Sequence, residues 1–138
     1  MKRTLLFLLS ALTVVSMSCC DCRKAQKLEK PLQGTTWQLV QIMAKDVTPA
    51  GESFTIVFHS DDTVSGQGDC NRFTATYTTS DKRDLHIENI GSTRRLCPNQ
   101  EAENAFFEML DKVTHYEMDA DKMLFLSEGT LVAILQSK

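Results

Sequence analysis

The sequence contains none of the short motifs that mark common catalytic sites. Its histidines, His59, His86 and His115, are scattered along the chain without a serine-centred nucleophile elbow or a His-Glu helix motif. The glycines of segment 66–68 lack the further glycine and the Lys-Ser/Thr pair of a phosphate loop, so a bend or bulge in a strand explains them better. We therefore expect a protein that is not an enzyme and that uses no cofactor and no metal.

The chain also lacks an apolar run long enough to cross a bilayer as a helix, for which roughly 20 residues are needed. A basic start is followed by an apolar run that begins at Leu5 and stops at a cluster rich in serine and cysteine, a layout typical of a signal peptide. Ser18, a small residue directly before Cys19, fits the pattern of lipoprotein signal peptidase substrates. We predict that residues 1–18 are a lipoprotein signal peptide and that Cys19 is lipidated. Lipidation of Cys20, or a plain secretory leader with incidental cysteines, is the alternative.

Large apolar residues are scarce in the segment that follows. Residues 19–31 surround a lone Leu28 with charged side chains, namely Arg23, Lys24, Lys27, Glu29 and Lys30. We interpret this segment as a flexible, solvated tether, with contact between its basic residues and anionic headgroups as the alternative. One folded domain is then expected over residues 32–138. Through its anchor the protein is expected in the cell envelope, at the outer membrane.

Basic residues are in the minority. The chain has 15 lysines and arginines against 18 acidic residues, for a net charge of −3. Removal of the leader takes Lys2 and Arg3 with it, which makes the mature chain more acidic still. This balance argues against binding to a nucleic acid backbone. The expected partners are the membrane, through the lipid anchor, and an unknown envelope protein or a small hydrophobic ligand.

Alternation of apolar and polar residues dominates the domain. Apolar side chains occupy every second position in 54–58 and again in 73–77, which is the period of a half-buried strand. Further runs rich in β-branched, aromatic or large aliphatic residues lie at 36–43, 84–90, 114–118, 122–126 and 130–136. Short segments rich in Asp, Ser and Gly separate many of these runs and suit tight turns. The pattern predicts short strands joined by antiparallel hairpins.

Only one segment has helical spacing. After Cys97 and Pro98, apolar residues recur on one helix face, at Ala102, Phe106, Met109, Leu110 and Val113. Pro98 suits the first turn of this helix. Parallel strands need long crossover connections and are disfavoured, because a single helix is available. We predict a mainly β domain: a small antiparallel, barrel-like curled sheet, or β-barrel, of about seven or eight strands with one late helix covering one end.

Three segments occur together in a characteristic order. They are the tryptophan-containing segment 34–40, the Cys-Asn-Arg-Phe motif at 70–73 followed by Tyr77, and the Thr-Arg-Arg-Leu-Cys-Pro motif at 93–98. With this ordered set the chain resembles the META/HslJ domain family of lipoproteins over residues 32–136. The resemblance implies a β-rich, barrel-like domain of bacterial envelope proteins, some heat-inducible and some associated with novobiocin resistance. It implies no established enzyme activity and favours an envelope-maintenance or stress-related role.

Cys70 and Cys97 fit three interpretations. A structural disulfide is favoured, because compartments outside the cytoplasm are oxidising. A buried, reduced pair comes second. A thiol-redox role comes third, since the sequence contains no Cys-X-X-Cys spacing, although the start of a helix, where Cys97 lies, favours a thiolate.

Arg94 and Arg95 are the strongest candidates for a partner-binding surface. Two adjacent arginines can present a cationic spot for a carboxylate or a phosphate, although strand alternation would point one of them outward and the other toward a neighbouring acid. Asn71 is a further candidate for partner binding, with a structural role in a tight bend as the favoured alternative. The rim loops and these residues are therefore the predicted contact surface.

The aromatic residues of the domain support a rival interpretation. They could line an apolar cavity and make the protein a carrier of a lipid or small hydrophobic ligand in the barrel; the residues concerned are Trp37, Phe54, Phe58, Phe73 and Phe125. Barrels of about eight strands are often just wide enough for side chains to fill. A packed core is therefore the expectation, and the carrier is the alternative.

Overall fold

The structure, a computed structural model, describes residues 29–138. The predicted signal peptide, the lipidation of Cys19 and the tether as far as residue 28 lie outside the described residues. The end of the predicted tether contacts the domain: Lys30 N donates to Ala120 O at 3.0 Å, and Glu29 pairs with Arg83 at 2.7 Å. Within the described part, no helix combines the length and the apolar composition needed to cross a bilayer.

The domain is a single antiparallel sheet with one helix. Its elements are β1 (Thr36–Ile42), β2 (Lys45–Asp46), β3 (Thr55–Phe58), β4 (Thr63–Gln67), β5 (Arg72–Thr79), β6 (Leu85–Ser92), α1 (Gln100–Lys112), β7 (His115–Asp119), β8 (Lys122–Ser127) and β9 (Thr130–Ser137). The mainly β, antiparallel fold with one late helix is thus confirmed. The strand count is nine, because the sequence pattern misses β2 and β4. Both residues of β2 are exposed, and β4 buries only Val64, so neither strand shows a clear alternation.

The strand order is β6-β5-β4-β3-β1-β9-β8-β7, with β2 paired to β1 alone. Every ladder between neighbouring strands is antiparallel. Shifts in register interrupt the ladders between β1 and β9, between β5 and β6 and between β8 and β9. Such irregularities bend strands and increase their twist, which suits a strongly curled sheet.

The prediction of a β-barrel is wrong in one respect: the sheet is not closed. Its end strands, β6 and β7, meet only at one point, through an isolated bridge between Asp84 and His115. Leu85 N donates to Thr114 O there, and Tyr116 N donates to Arg83 O, both at 3.0 Å. Elsewhere β6 contacts α1. We infer that the helix occupies the place that a longer closing ladder would need.

The core lies between the concave face of the sheet and α1. Fully buried side chains from both include Trp37, Phe58, Phe106, Met109, Leu110, Phe125 and Leu135. The aromatic residues that could have lined a cavity instead pack with the rest of the core. The ring of Phe106 on α1 contacts Phe54 and Phe73 edge-on, with centroid distances of 5.4 and 6.0 Å. A ligand inside the sheet would have to displace these side chains.

The helix begins at Gln100, two residues after Pro98, which the sequence pattern places in its first turn. Asn99 is its N-cap and accepts a hydrogen bond from Ala102 N at 3.2 Å through its side chain. Pro98 therefore precedes the cap and does not lie in the first turn. A side-chain acceptor at the cap satisfies a backbone N–H that has no partner inside the helix, which Pro98 cannot do.

Candidate functional site

The loop between β6 and α1 carries three of the predicted site residues: Arg94, Arg95 and Cys97. We call residues 93–99 the arginine loop. It has no regular secondary structure, and the disulfide between Cys70 and Cys97 attaches it to the turn between β4 and β5. The two Cα atoms are 5.5 Å apart and 27 residues apart in sequence. In the chain-entropy model such a bridge stabilises the fold by about 3 to 4 kcal/mol.

The side chain of Asn71 fixes the backbone of the arginine loop through hydrogen bonds. Its side chain is only 3% exposed. The Oδ1 atom accepts hydrogen bonds from Thr93 Oγ1 at 2.8 Å and from Arg95 N at 2.7 Å, while Nδ2 donates to Arg95 O at 2.9 Å and to Glu103 Oε1. Both lone pairs and both protons of the amide are therefore used within the protein. Contact between Asn71 and a partner stays a prediction. In the structure the Asn71 side chain lies beneath the loop and fixes its backbone through hydrogen bonds.

Glu103 is a buried carboxylate beside the disulfide. Although it lies in the first turns of α1, its side chain is 2% exposed. Besides the Asn71 amide, it accepts Cys70 N at 2.9 Å and, more distantly, Asn71 N at 3.4 Å. Cys97 Sγ is 3.0 Å from Oε2, a close contact without a hydrogen bond, since a disulfide sulfur carries no proton. Glu103 thus joins the helix to the turn that carries Cys70 and lies in contact with the sulfur of Cys97.

Its position in the first turn of α1 would by itself assign Glu103 to the exposed helix start, where acidic residues favour the helix dipole. The signal that contradicts this assignment is its spacing: Glu103 precedes Phe106 by three positions and Leu110 by seven, which puts it on the buried face. Gly68 makes room for the carboxylate. A Cβ atom at Gly68 would lie 3.0 Å from Glu103 Oε2, closer than side chains ordinarily approach.

The outer surface of the arginine loop is cationic and apolar. Arg94 and Arg95 are both exposed, and within residues 29–138 neither forms an ion pair. The expectation that one arginine points to a neighbouring acid is therefore not met among the described residues. Leu96, next to them, is 95% exposed. A groove of about 340 Å³ separates the loop from α1, with Phe107 among its lining residues.

The potential metal ligands of this region do not form a metal site as they stand. Cys70, Cys97 and Glu103 bring two sulfurs and a carboxylate oxygen within 4.8 Å of one another. Cysteine binds metals as the thiolate, and the disulfide removes both thiolates. The group therefore acts as a covalent and hydrogen-bonded junction between three segments.

The histidines are not brought together. His59 Nε2 lies 2.8 Å from Ser65 Oγ, and His115 Nδ1 lies 3.9 Å from Asp84 Oδ1 at the meeting point of β6 and β7. His86 is exposed on β6. His86 and His115 thus lie on different strands and His59 directly follows β3, so the histidines are scattered in the structure as they are along the chain.

Two carboxyl groups with lowered pKa values lie away from the arginine loop. The hydrogen bond and charge of the Lys112 ammonium lower the pKa of Glu108 near the end of α1. Hydrogen bonds from Thr63 lower the pKa of Asp61 in the turn between β3 and β4. Both carboxyl groups are on the surface and take part in local contacts.

Comparison with known proteins identifies the fold and a family match. A family model described as the META domain matches residues 30–138. No curated protein matches the chain. An NMR structure with 24% sequence identity has a TM-score of 0.61 and is aligned over 76% of this chain and 90% of its own. An NMR structure of a protein from Burkholderia xenovorans has 21% identity and a TM-score of 0.59, over 78% of this chain and 83% of its own.

A crystal structure of a DUF4847 family protein from Bacteroides vulgatus ATCC 8482 is similar over a smaller region. It has 24% sequence identity and a TM-score of 0.51, and the alignment covers 62% of this chain and 59% of that chain. At these identities the similarity concerns the fold alone. The site residues must therefore be interpreted from their own geometry.

Proposed function

Because the chain belongs to the META domain family, we propose that it is a non-enzymatic binding protein of the bacterial cell envelope. It is anchored to the outer membrane by a lipid on Cys19 and binds an envelope protein through the arginine loop. Its role is in envelope maintenance or the response to stress. The leader sequence supports the anchor, and the geometry of the loop supports the binding role.

The observation that carries the binding role is that the arginine loop is held in place while its tip, Arg94, Arg95 and Leu96, is exposed. The disulfide, Asn71 and Glu103 hold residues 93–97, which form no strand or helix of their own. A loop that is already ordered loses little conformational entropy when a partner binds. The buried polar cluster therefore has a use beyond stability, because it presents Arg94, Arg95 and Leu96 in a fixed arrangement.

The side chains of Arg94, Arg95 and Leu96 indicate what kind of partner the loop binds. Burial of the Leu96 side chain contributes about 1.5–3 kcal/mol when it is fully covered. Guanidinium groups form paired hydrogen bonds with carboxylates, and Arg94 and Arg95 have no acidic partner among the described residues. The best partner is therefore an envelope protein with a small apolar pocket that is rimmed by acidic residues.

Site-specific crosslinking in the host tests the binding role. A photoreactive residue in place of Leu96, in the full-length chain, should give a defined crosslinked product. The same residue in place of Leu131, which is 43% exposed on β9, is the matched control and should give none. Arg94→Glu with Arg95→Glu should abolish the product, whereas Lys82→Glu with Lys122→Glu should not. Equal crosslinking at both leucines, or turnover of a defined substrate by the purified protein, would contradict the proposal.

The intact mass of the protein from host membranes tests the anchor. The proposal expects a mass that carries acyl chains and lacks residues 1–18, and Cys19→Ser should remove these acyl chains. If Cys20→Ser removes them and Cys19→Ser does not, the anchor is on the neighbouring cysteine. A chain without acyl groups, recovered in the soluble fraction, would contradict the anchor.

A further inference from the structure

A second groove lies beside the start of α1, and Asn99 is the one residue of the arginine loop that lines it. We call it the helix-start groove. It has a volume of about 460 Å³ and lies between the connection from β1 to β3 and the first turns of α1. Its apolar surface comes from Ile42, Val47, Phe54, Ala102 and Ala105. The volume is within the range of small-molecule sites, about 300–1,000 Å³.

Phe54 gives this groove a rigid floor. Its backbone has a φ of 55°, in the left-handed region that a bulky side chain rarely adopts. The conformation is held from both sides, because Phe54 N donates to Gly68 O at 3.0 Å and Phe54 O accepts from Leu39 N at 2.9 Å. The ring packs edge-on against Phe106, with 5.4 Å between centroids. Such backbone strain persists only where surrounding structure enforces it and is concentrated at functional sites.

The rim of the groove is acidic. Asp46, Asp69 and Glu101 line it, and Lys45 is the opposing cation. The positive end of α1 is already compensated, because Asp69 Oδ2 accepts Asn99 N at 3.1 Å and Asn99 caps the helix. The helix start and Lys45 thus offset part of the charge of the rim, and three carboxylates against one ammonium group and a partial helix charge leave the rim negative.

We propose that the helix-start groove binds a small hydrophobic cation: an aromatic or aliphatic body with an ammonium group. The body covers Phe54, Ala102 and Ala105, and the ammonium lies among the carboxylates of the rim. An anion of the same shape is repelled by these carboxylates. This binding does not use Arg94, Arg95 or Leu96, none of which lines the groove.

Three matched probes test the proposal: 4-phenylbutylamine, 4-phenylbutanol and 4-phenylbutyrate. They share one apolar body and differ in charge. Affinities are measured by ligand-observed NMR titration of the full-length protein in lipid nanodiscs, with empty discs as the blank. The amine should bind about tenfold more tightly than the carboxylate, from exposed charge pairs of modest strength. The alcohol should lie between them, and the preference for the amine should weaken as salt is added.

Two sets of variants locate the site. Asp46→Asn, Asp69→Asn and Glu101→Gln together should remove the preference for the amine. Asp81→Asn, Glu88→Gln and Glu117→Gln, which change the net charge equally at exposed positions elsewhere, should keep it.

A second comparison tests the apolar floor. Ala105→Phe fills the groove and should weaken all three probes at least fivefold, whereas Asn104→Phe, exposed on the neighbouring helix position, should not. Thermal unfolding confirms that each variant is folded.

The outcomes are distinct. Equal affinity for the amine and the carboxylate overturns the proposal, as does a preference that survives neutralisation of the rim. Unchanged binding in a folded Ala105→Phe protein also overturns it. Arg94→Glu with Arg95→Glu should leave binding of the amine unchanged, so failure of the arginine loop as a partner site is distinguishable from failure of this groove.

Discussion

Glu103 shows how one residue connects the parts of this protein. The carboxylate is buried between α1 and the disulfide and accepts the backbone N–H groups of Cys70 and Asn71. A buried donor that loses its acceptor is more costly than an ordinary hydrogen bond is favourable, because the donor cannot regain water. Removal of this carboxylate should therefore affect the turn, the loop and the helix together.

Glu103→Ala should lower the free energy of unfolding by about 2–4 kcal/mol, because it leaves buried donors without an acceptor. Equilibrium denaturation under oxidising conditions measures this change. Glu101→Ala is the control: Glu101 is exposed in the same turn and should change stability by less than about 0.5 kcal/mol. Equal effects of the two substitutions would show that the junction contributes nothing beyond helix-start electrostatics.

Gly66 is constrained by a neighbouring strand. A Cβ atom on this residue of β4 would lie 1.9 Å from Thr55 O on β3. Gly66→Ala should therefore push the two strands apart and destabilise the protein by about 3 kcal/mol. Gly91→Ala on β6 is the matched control, because the nearest atom to its added Cβ is Thr74 O at 4.0 Å. Thermal melts should separate the two variants clearly, and similar melts would refute the steric explanation.

At the scale of elements, the arginine loop depends on side chains for its order. Strands hold one another through backbone ladders, whereas this loop has one backbone hydrogen bond to β5, from Thr93 N to Arg72 O, and is otherwise held by the disulfide and by the Asn71 amide. Its order should therefore be lost without loss of the sheet. The β6 and α1 ends on either side remain fixed by the core.

Replacement of Cys70 and Cys97 by alanine should cost about 3 kcal/mol of stability and speed hydrogen exchange at Arg95 N, which Asn71 Oδ1 now protects. Exchange in the central strands β1 and β9 should change only as far as global stability falls. Chemical reduction of the native protein is the control and should give the same pattern. Unchanged exchange at Arg95 would mean that Asn71 alone orders the loop.

At the scale of the whole molecule, the open edge distinguishes this sheet from a barrel. The bridge at Asp84 and His115 joins β6 and β7 at one end only. Unpaired edge N–H groups are accessible to water and open at low free energy. The helix covers the core but leaves this seam without a continuous ladder.

Hydrogen exchange across the sheet tests the open edge. Amides of Leu85 and Tyr116 should be protected, because they donate to Thr114 O and Arg83 O. The outward-facing amides in the remainder of β6 and β7 should exchange at least about tenfold faster than those of the interior strands β1 and β9. Uniform protection of both edge strands would indicate a closed barrel in solution.

Much of this fold is determined by local patterns in the sequence. Alternation in 54–58 and 73–77 predicts strands, and helical spacing after residue 98 predicts α1, because each pattern reports which face of one segment is buried. The family follows from an ordered set of motifs, whereas the disulfide between Cys70 and Cys97 is only the favoured one of three interpretations, from the oxidising compartment that the leader predicts. Such features can be predicted because the strands, the helix and the motifs each depend on residues that are close together in the chain. The disulfide is predicted from the redox state of the expected compartment.

Only the tertiary structure decided how distant segments meet. The burial of Glu103, the left-handed backbone of Phe54, the exposure of Leu96 and the open edge of the sheet each depend on contacts between separate elements. A period of two or of 3.6 residues identifies a buried face but not the atoms that cover it. The candidate sites arise where those remote segments converge, which is why local pattern alone could suggest Arg94 and Arg95 but not the junction behind them.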